Sequence, residues 1–505
     1  MIYDFAIIGA GFGGSLMSLI LNRLGFRVIL VDRGRHPRFA IGESSTPIAN
    51  IILAQLAKRY SLPTIAPLAE YGSWKRTYPK LGVGLKRGFS YFHHTSGEPF
   101  RPAGNHDAEL LVAASAGVED ADTHWYRPDF DEFVADEAVA AGVEYSDMTD
   151  VTLQPDGDLW HLEGTRDATP VNWTARFVID GSGEGAVLAQ RLDIKSQVDR
   201  FRTDSRGLLA HFRNVPKWET FQGFSRTVKS VHPFQDHPYP CDDAALHHVF
   251  HGGWMWVLPF ENGITSVGFS LDRRHFPVRT DLSPLAEWDL MLQQFPSIQE
   301  HLANAENCLP GGKMIRSGRM QRWATQVVGR NWAMLPATAG FLDPLHSTGN
   351  AHTLSGIERL AGLFAEHHLN LKSEGFQKGL AEYETCLHQE VQLVDTIVHG
   401  CFEAMVHFPL FAAYSMLYFT AAIWTEHRRR AGLWNSKEAF LGANDPVFFQ
   451  IVKDSYEDLC HLASQPKITP AEDRAFLTRM QQRIKPYNLA GLCDPERRNL
   501  YPFPG

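Results

Sequence analysis

Nine consecutive residues, Phe341-Leu342-Asp343-Pro344-Leu345-His346-Ser347-Thr348-Gly349, combine a carboxylate, an imidazole, two hydroxyls and a glycine in one short loop. The run Asn331 to Leu335 before them is apolar enough for a buried strand, and His352 to Phe364 after them has a helical pattern. A loop that enters a helix leaves the first backbone N–H groups without intrahelical acceptors, so Thr348 and Gly349 are placed to hold an anion. An ordinary strand-to-helix turn capped by Ser347 or Thr348 fits the same residues. Two other stretches favour the anion.

The first is at the N-terminus. Tyr3 to Ile8 is apolar, as a central parallel strand is, and runs into Gly9-Ala10-Gly11-Phe12-Gly13-Gly14, a GxGxxG fingerprint. Ser15 to Leu24 reads as helix and Arg27 to Val31 as the second strand, closed by Asp32-Arg33. Together these form a dinucleotide-binding unit. The glycines allow the turn and the approach of the pyrophosphate, the helix N-terminus meets its charge, and Asp32 faces a ribose hydroxyl. The second stretch is Ile41-Gly42-Glu43-Ser44-Ser45-Thr46-Pro47, a small-residue loop of the kind flavoproteins place beside the isoalloxazine, which favours FAD over NAD. Ser45 or Thr46 also caps the helix-like run Ile48 to Leu56, with Pro47 in its first turn. Further on, Phe177-Val178-Ile179-Asp180-Gly181-Ser182-Gly183 is a strand entering a turn that reapproaches the dinucleotide.

The elements that must position these loops follow from pattern. Tyr71 to His94 is basic and aromatic, with strand-like alternation from Gly84 to Phe92; lysines in such a stretch are ordinarily solvated. The adjacent pairs His93-His94, His247-His248 and His367-His368 point to opposite faces of any regular element and read as surface or structural, not as a metal site. From about Phe201 to Arg322 the pattern becomes strands with aromatic content. In Gly253-Trp254-Met255-Trp256-Val257-Leu258-Pro259, Trp254, Trp256 and Leu258 share one face, and Asn262-Gly263 turns the chain into Val267 to Leu271. Beyond about Asn350 the sequence is mostly helical, including Leu387 to Ala404 and Pro470 to Ile484, the latter capped by Thr469.

Composition narrows the classes. The chain has 505 residues, 44% hydrophobic and 21% charged, and a formal charge of −9 without a long basic tract, so nucleic acid is not the expected partner. Six dispersed cysteines without a CxxC pair fit a reducing cytoplasm better than a disulfide framework or a zinc knuckle, and the chain opens on strand-like sequence without a secretory signature. Ala404 to Thr425 carries no formal charge and approaches the roughly 20 residues that span a bilayer. Its histidine, proline and hydroxyl residues favour a buried or substrate-facing helix pair, with contact at a membrane surface as the alternative.

In order, GxGxxG, Gly42-Glu43-Ser44, Trp254-Met255-Trp256-Val257-Leu258-Pro259 and the 341–349 loop resemble the flavin-dependent halogenases over about residues 1–365. The family patterns are WxWxIP, met here with Leu258 for isoleucine, and FxxPxxSxG, met in full. The resemblance implies FAD, used as FADH2, with Gly340 and Phe341 added to the flavin residues. It implies chloride or bromide at the amides of Thr348 and Gly349, and hypohalous acid passing to a lysine that activates it toward an electron-rich arene or enol. By motif position that lysine is Lys80, with Lys86 as the fallback, while Trp254, Trp256, Pro259 and Pro344 separate flavin from substrate. Tryptophan halogenases carry a glutamate where this chain has His346, which turns the expectation away from tryptophan and leaves His346, beside Ser347, as an acid–base group. Pro336-Ala337 replaces the Gly-Asp pair of related monooxygenases, which suggests exchangeable FAD supplied by a separate reductase.

The expected architecture is therefore α/β: a discontinuous Rossmann-like FAD domain at residues 1–75, 126–200 and 323–365, an inserted substrate-facing sheet at 76–125 and 201–322, and a helical region at 366–505. The expected substrate is a small molecule, free or tethered to a carrier. A monooxygenase or reductase of the same fold, or a non-catalytic flavoprotein, are the rival readings, and no metal site is expected.

Overall fold

The computed structural model describes residues 1–102, 105–220, 235–435 and 437–504. Ile2–Ile8 is the middle of a parallel sheet, flanked by Thr169–Asp180 on one side and Val28–Val31 on the other, with Trp332–Met334 and Glu144–Ser146 beyond them. Val28–Val31 is buried at every position, as a strand covered on both faces must be. Between Ile2–Ile8 and Val28–Val31 runs the helix Phe12–Arg23, which completes the dinucleotide-binding crossover. A meander, Thr149–Asp156, Leu159–Arg166 and Thr169–Asp180, leads back into the sheet.

The second sheet has nine strands. Its centre is the hairpin Gly253–Pro259 and Ile264–Asp272, turned at Gly263 with φ +79°, and it continues through Ala245–Phe250 and Gly88–His94 to Glu109–Ala113. Period-2 alternation divides its side chains between two cores. Trp254, Trp256 and Leu258 face the core shared with the parallel sheet, whereas Met255 and Val257 face a second core under the helix Pro284–Gln293. At the far edge Leu500–Tyr501 pairs with Leu111–Val112, so the C-terminal stretch ends as a strand and not as helix.

The single strand expected from Gly84 to Phe92 is two. Val83–Lys86 pairs with Asp122–Trp125 in a separate ribbon, and Gly88–His94 belongs to the nine-stranded sheet. The change of partner falls at Arg87, whose guanidinium is held by Ser115 and the Ala116 carbonyl.

The helical region opens with Thr348–His367 and continues through Glu374–Ala404 and Phe408–Arg430. The uncharged segment is therefore not a helix pair: apart from Ala404, the last residue of the preceding helix, its helical residues form the single helix Phe408–Arg430 after the break at 405–407. Phe408–Arg430 is the only described helix long and apolar enough to cross a membrane, yet its window is 78% buried within the fold. Helix Pro470–Ile484 starts at a Thr469/Glu472 capping box.

Burial of Phe408–Arg430 against protein makes it a core element. Leu417, fully enclosed, should cost about 2–5 kcal/mol when cut to alanine. Urea unfolding should show this as a lower midpoint, with the protein remaining in the supernatant after high-speed centrifugation without detergent. Recovery only in the membrane pellet would point to lipid contact instead.

Candidate active site

The flavin cradle forms where the first strand meets its helix. Gly9 has φ +99°, and a Cβ on Gly14 would lie 1.9 Å from the Gly9 carbonyl oxygen, so residue 14 must be glycine for the turn to close. Gly11 differs: a Cβ there would find nothing nearer than the Arg127 and Asp131 side chains at 3.8 Å. That opening at a helix N-terminus suits a pyrophosphate. Phe12 and Gly13 are buried in the first helical turn behind it. Asp180 fixes the opposite turn through the Ser182 and Leu188 amides at 2.9 and 2.7 Å, while the Gly181 N–H reaches the Ile8 carbonyl. Gly340 packs against the Trp323 indole, and Phe341 pairs with Arg322. These residues fit a bound dinucleotide.

Asp32 is more constrained than expected. Its Oδ2 accepts from the Ala10 amide at 2.6 Å and from Arg38 at 2.8 Å, and Oδ1 from the Gly34 amide at 2.7 Å. Arg33 is exposed. Arg38 gives no signal in the sequence.

The loop at 42–46 lies between the two sheets. Glu43 is buried, its Oε2 accepting from the Gly42 amide at 2.8 Å and its Oε1 paired with His211 at 3.0 Å. Burial would raise this carboxyl, but His211 and the amide bring it below the usual value. Glu43 therefore anchors the loop. Arg127, also unassigned by sequence, holds the loop from outside through the Ile41 and Gly42 carbonyls, and is itself clamped by Asp131 at 2.7 and 2.8 Å. Ser44 meets the second loop directly: Ser347 Oγ donates to Ser44 Oγ at 3.0 Å, and Asn350 Nδ2 to the Ser44 carbonyl at 3.3 Å.

In that second loop Ser347 is the helix N-cap with φ +53°, and it makes no side-chain cap bond. The left-handed turn presents Thr348 and Gly349 as the first two helical residues, with N–H groups that lack intrahelical acceptors. Gly349 is exposed, and a Cβ on it would meet nothing. Asp343 pins the loop by accepting from Ser205 and Ser270 at 2.7 and 2.6 Å and from the Leu345 amide. Pro344 is half-buried. His346 is buried, stacked on Tyr418 with centroids 4.4 Å apart, and burial lowers its pKa to about 3. It is a neutral imidazole at working pH.

The lysines separate sharply. Lys80 is exposed on the turn after Tyr71–Thr77, so its amine lies in water. Lys86 is 0% exposed. Its Nζ donates to the Ser45 carbonyl at 2.5 Å, stands 3.9 Å from the Phe89 ring centroid, and has its pKa lowered to about 7 by burial. Around it, Phe89 and Tyr91 stack with His247, and Phe411 and Phe419 from the uncharged helix meet them edge-on. Trp254 joins His247 at 5.1 Å and Trp256 at 5.7 Å, while Pro259 sits beside Gly84 of the lysine strand. His94, His247 and His248 are thus interior, not surface.

The arrangement is a flavin cradle, an anion-ready helix start and a buried amine walled by aromatic rings. Residues 122–405 match the family model for tryptophan halogenase. The chain belongs to that family, and it is an FAD-dependent halogenase. It is 30% identical over 437 positions to monodechloroaminopyrrolnitrin halogenase PrnC of Pseudomonas fluorescens, covering 84% of this chain and 72% of the relative. It is 28% identical to tetracycline 7-halogenase of Kitasatospora aureofaciens, covering 99% and 90%. The fold matches the crystal structure of halogenase PltM in complex with phloroglucinol and FAD with a TM-score of 0.86 over 99% of both chains, at 24% identity.

Two outcomes follow for the halogenase. Gly11→Val fills space that protein leaves open, so the variant should fold yet lose retained flavin absorbance, whereas Gly14→Val should fail to fold. Normal FAD binding by Gly11→Val would displace the pyrophosphate from this turn.

The second concerns acid. His94, His124 and His346 are held near pKa 3 and His301 near 4, all by burial, and His247 and His248 are well below the ordinary value for the same reason. Unfolded, each takes up a proton near pH 6.5, so the unfolded state binds more protons and stability falls as pH drops below about 6.5. Each imidazole contributes about 1.4 kcal/mol per pH unit in that window. Asp242, raised by burial to about 6, opposes this, as do the buried carboxyls of Asp122, Asp180, Asp343 and Glu426, raised for the same reason. Urea midpoints should fall from pH 7 to pH 5; a flat profile would mean that these imidazoles are hydrated.

Proposed function

We propose that this halogenase chlorinates or brominates an electron-rich, freely diffusing arene or enol, with Lys86 and not Lys80 as the residue that presents the oxidised halogen. The observation that carries this is the complete burial of the Lys86 amine beside Phe89, His124 and His247, with its Nζ on the Ser45 carbonyl of the Gly42–Thr46 loop. Bound reduced FAD supplies the two electrons that activate dioxygen, and with halide this yields hypohalous acid. The protein's own residues do the rest. The N–H groups of Thr348 and Gly349 hold the halide anion at the helix start. The Ser44–Ser347 hydrogen bond keeps the two loops in register. Buried rings exclude water that would otherwise compete for the oxidant, and Lys86, fixed by Ser45, hydrogen-bonds the hypohalous acid as an ammonium or, as the neutral amine, takes its halogen to form N–X with release of water. His346 is a neutral wall group and not a titrating acid at working pH.

A free substrate is supported by PrnC and tetracycline 7-halogenase, whose names specify small molecules; other relatives are named for pyrrole carbonyl groups on a peptidyl-carrier protein. A separate reductase supplying FADH2 is part of the proposal, supported by the Pro336–Ala339 helix in place of a Gly-Asp flavin contact. So is a cytoplasmic location, which six unpaired cysteines favour.

With FAD, a reductase, bromide and a panel of phenols, Lys86→Ala should still bind flavin and consume oxygen. Halogenated product by mass spectrometry should fall on the order of 10²–10⁴-fold. Lys80→Ala should retain most activity. Loss confined to the Lys80 variant would return the role to that residue.

A further inference from the structure

Lys86 does not stand alone in the interior. In the ribbon of Val83–Lys86 and Asp122–Trp125 it lies directly across from Asp122. Asp122 is 1% exposed. Its Oδ1 accepts from Asn50 Nδ2 at 2.8 Å, and its Oδ2 is buried with no hydrogen-bond partner. Asn50, one turn into the helix Pro47–Arg59, receives a hydrogen bond from Ser45 Oγ at 3.2 Å, and the Ser45 carbonyl takes the Lys86 ammonium. One residue of the 42–46 loop therefore ties both ends of a buried network, the amine through its carbonyl and the carboxylate through Asn50.

Such an arrangement is unsuited to a purely structural ion pair. An amine and a carboxylate buried for stability close onto each other and satisfy every oxygen. Here the lysine spends a donor on a carbonyl, and a carboxylate oxygen is left over.

We propose that Asp122 is a positioning residue for halogen transfer: its carboxylate, held across the strand pair by Asn50, favours the ammonium form of Lys86. This rests on the assignment of Lys86 above. Burial pulls the ammonium down to about 7, and Asp122 is the group that opposes it. His124 and His247 face the same amine, and burial keeps both neutral, so neither repels it. Asp122 itself is pushed well up by burial, with Lys86 and Arg430 lowering it and Glu426 and Glu70 raising it; the Tyr418 phenol also faces it. Each of the two groups therefore opposes the other's shift, which ties the charge of Lys86 to this one partner.

The readout is halogenated product per flavin oxidised, measured against pH, which isolates halogen transfer from flavin and oxygen steps. In the wild-type enzyme this ratio should fall as pH rises through about 7, where the ammonium is lost. Asp122→Asn should move that midpoint down by at least one pH unit and reduce the ratio at pH 7.5 at least tenfold, with FAD affinity unchanged. Asp122→Glu should restore part of the shift. Asn50→Ala, which weakens the hold on the carboxylate, should shift the midpoint in the same direction by less; it carries the test if Asp122→Asn does not fold. An inactive Lys86→Ala together with a wild-type midpoint in the Asp122 or Asn50 variants overturns the role of Asp122. Retained halogenation in Lys86→Ala overturns the lysine assignment itself, and this inference with it.

Discussion

The segment Gly42–Thr46 is the constraint on which the site depends. In five residues its backbone and side chains bond to every part that must cooperate. The Glu43 carbonyl receives the Trp125 amide at 2.7 Å and the Ser45 amide reaches the Thr123 carbonyl, which attach it to the lysine ribbon. Ser44 bonds the anion loop, Thr46 caps the helix Pro47–Arg59, and Glu43 is locked to His211 in the nine-stranded sheet. Because these bonds lie in a water-poor interior, each is geometrically demanding, and leaving one unmade costs the desolvation of its donor or acceptor. The separation of the Ser347–Gly349 turn from Lys86 is therefore set by one short strip of chain that bonds to both.

That strip also explains the placement of the uncharged helix. Phe411, Tyr418 and Phe419 cover ring faces and edges that Tyr91, His346 and Phe89 would otherwise leave to water. A helix can cover such a surface only if it is apolar on nearly all sides, which is what gives Phe408–Arg430 the composition of a membrane span. Its charges gather at one end, where Arg429 and Arg430 pair with Glu358 and Glu426. The resemblance to a span is a consequence of burial inside the protein's own aromatic interior.

Legibility in the sequence followed the range of the interactions. The glycine fingerprint, the Thr46 and Thr469 caps, the Asn262-Gly263 hairpin and the tryptophan face all rest on contacts within a few residues or on strict alternation, and these appear in the structure where the pattern puts them. The turn and helix start at Ser347–Thr348 were readable for the same reason, since they follow one another directly in the chain. Glu43 was placed in the right loop, but its partner His211 is 168 positions away, and nothing local distinguishes an anchoring carboxylate from one that meets a ligand. Arg127 and Asp122 were hidden in the same way, since their significance comes from the 42–46 strip and not from their neighbours.

The lysine shows the limit most clearly. Lys80 and Lys86 sit in one basic, aromatic stretch, and motif distance alone favours the first. What separates them is the change of sheet at Arg87. Had residues 84–92 formed one straight strand, Lys86 and Phe89 would project to opposite faces and the amine could not lie over the ring. Because the chain leaves the ribbon at Arg87 and re-enters a different sheet at Gly88, the alternation is reset, and Lys86 and Phe89 come to the same interior with Nζ 3.9 Å from the ring centroid. The turn that enables this is held by Ser115 and by the Asp243 carbonyl, which accepts the Arg87 amide. A buried amine at this position is thus a property of strand partnering, and strand partnering is decided by residues far along the chain.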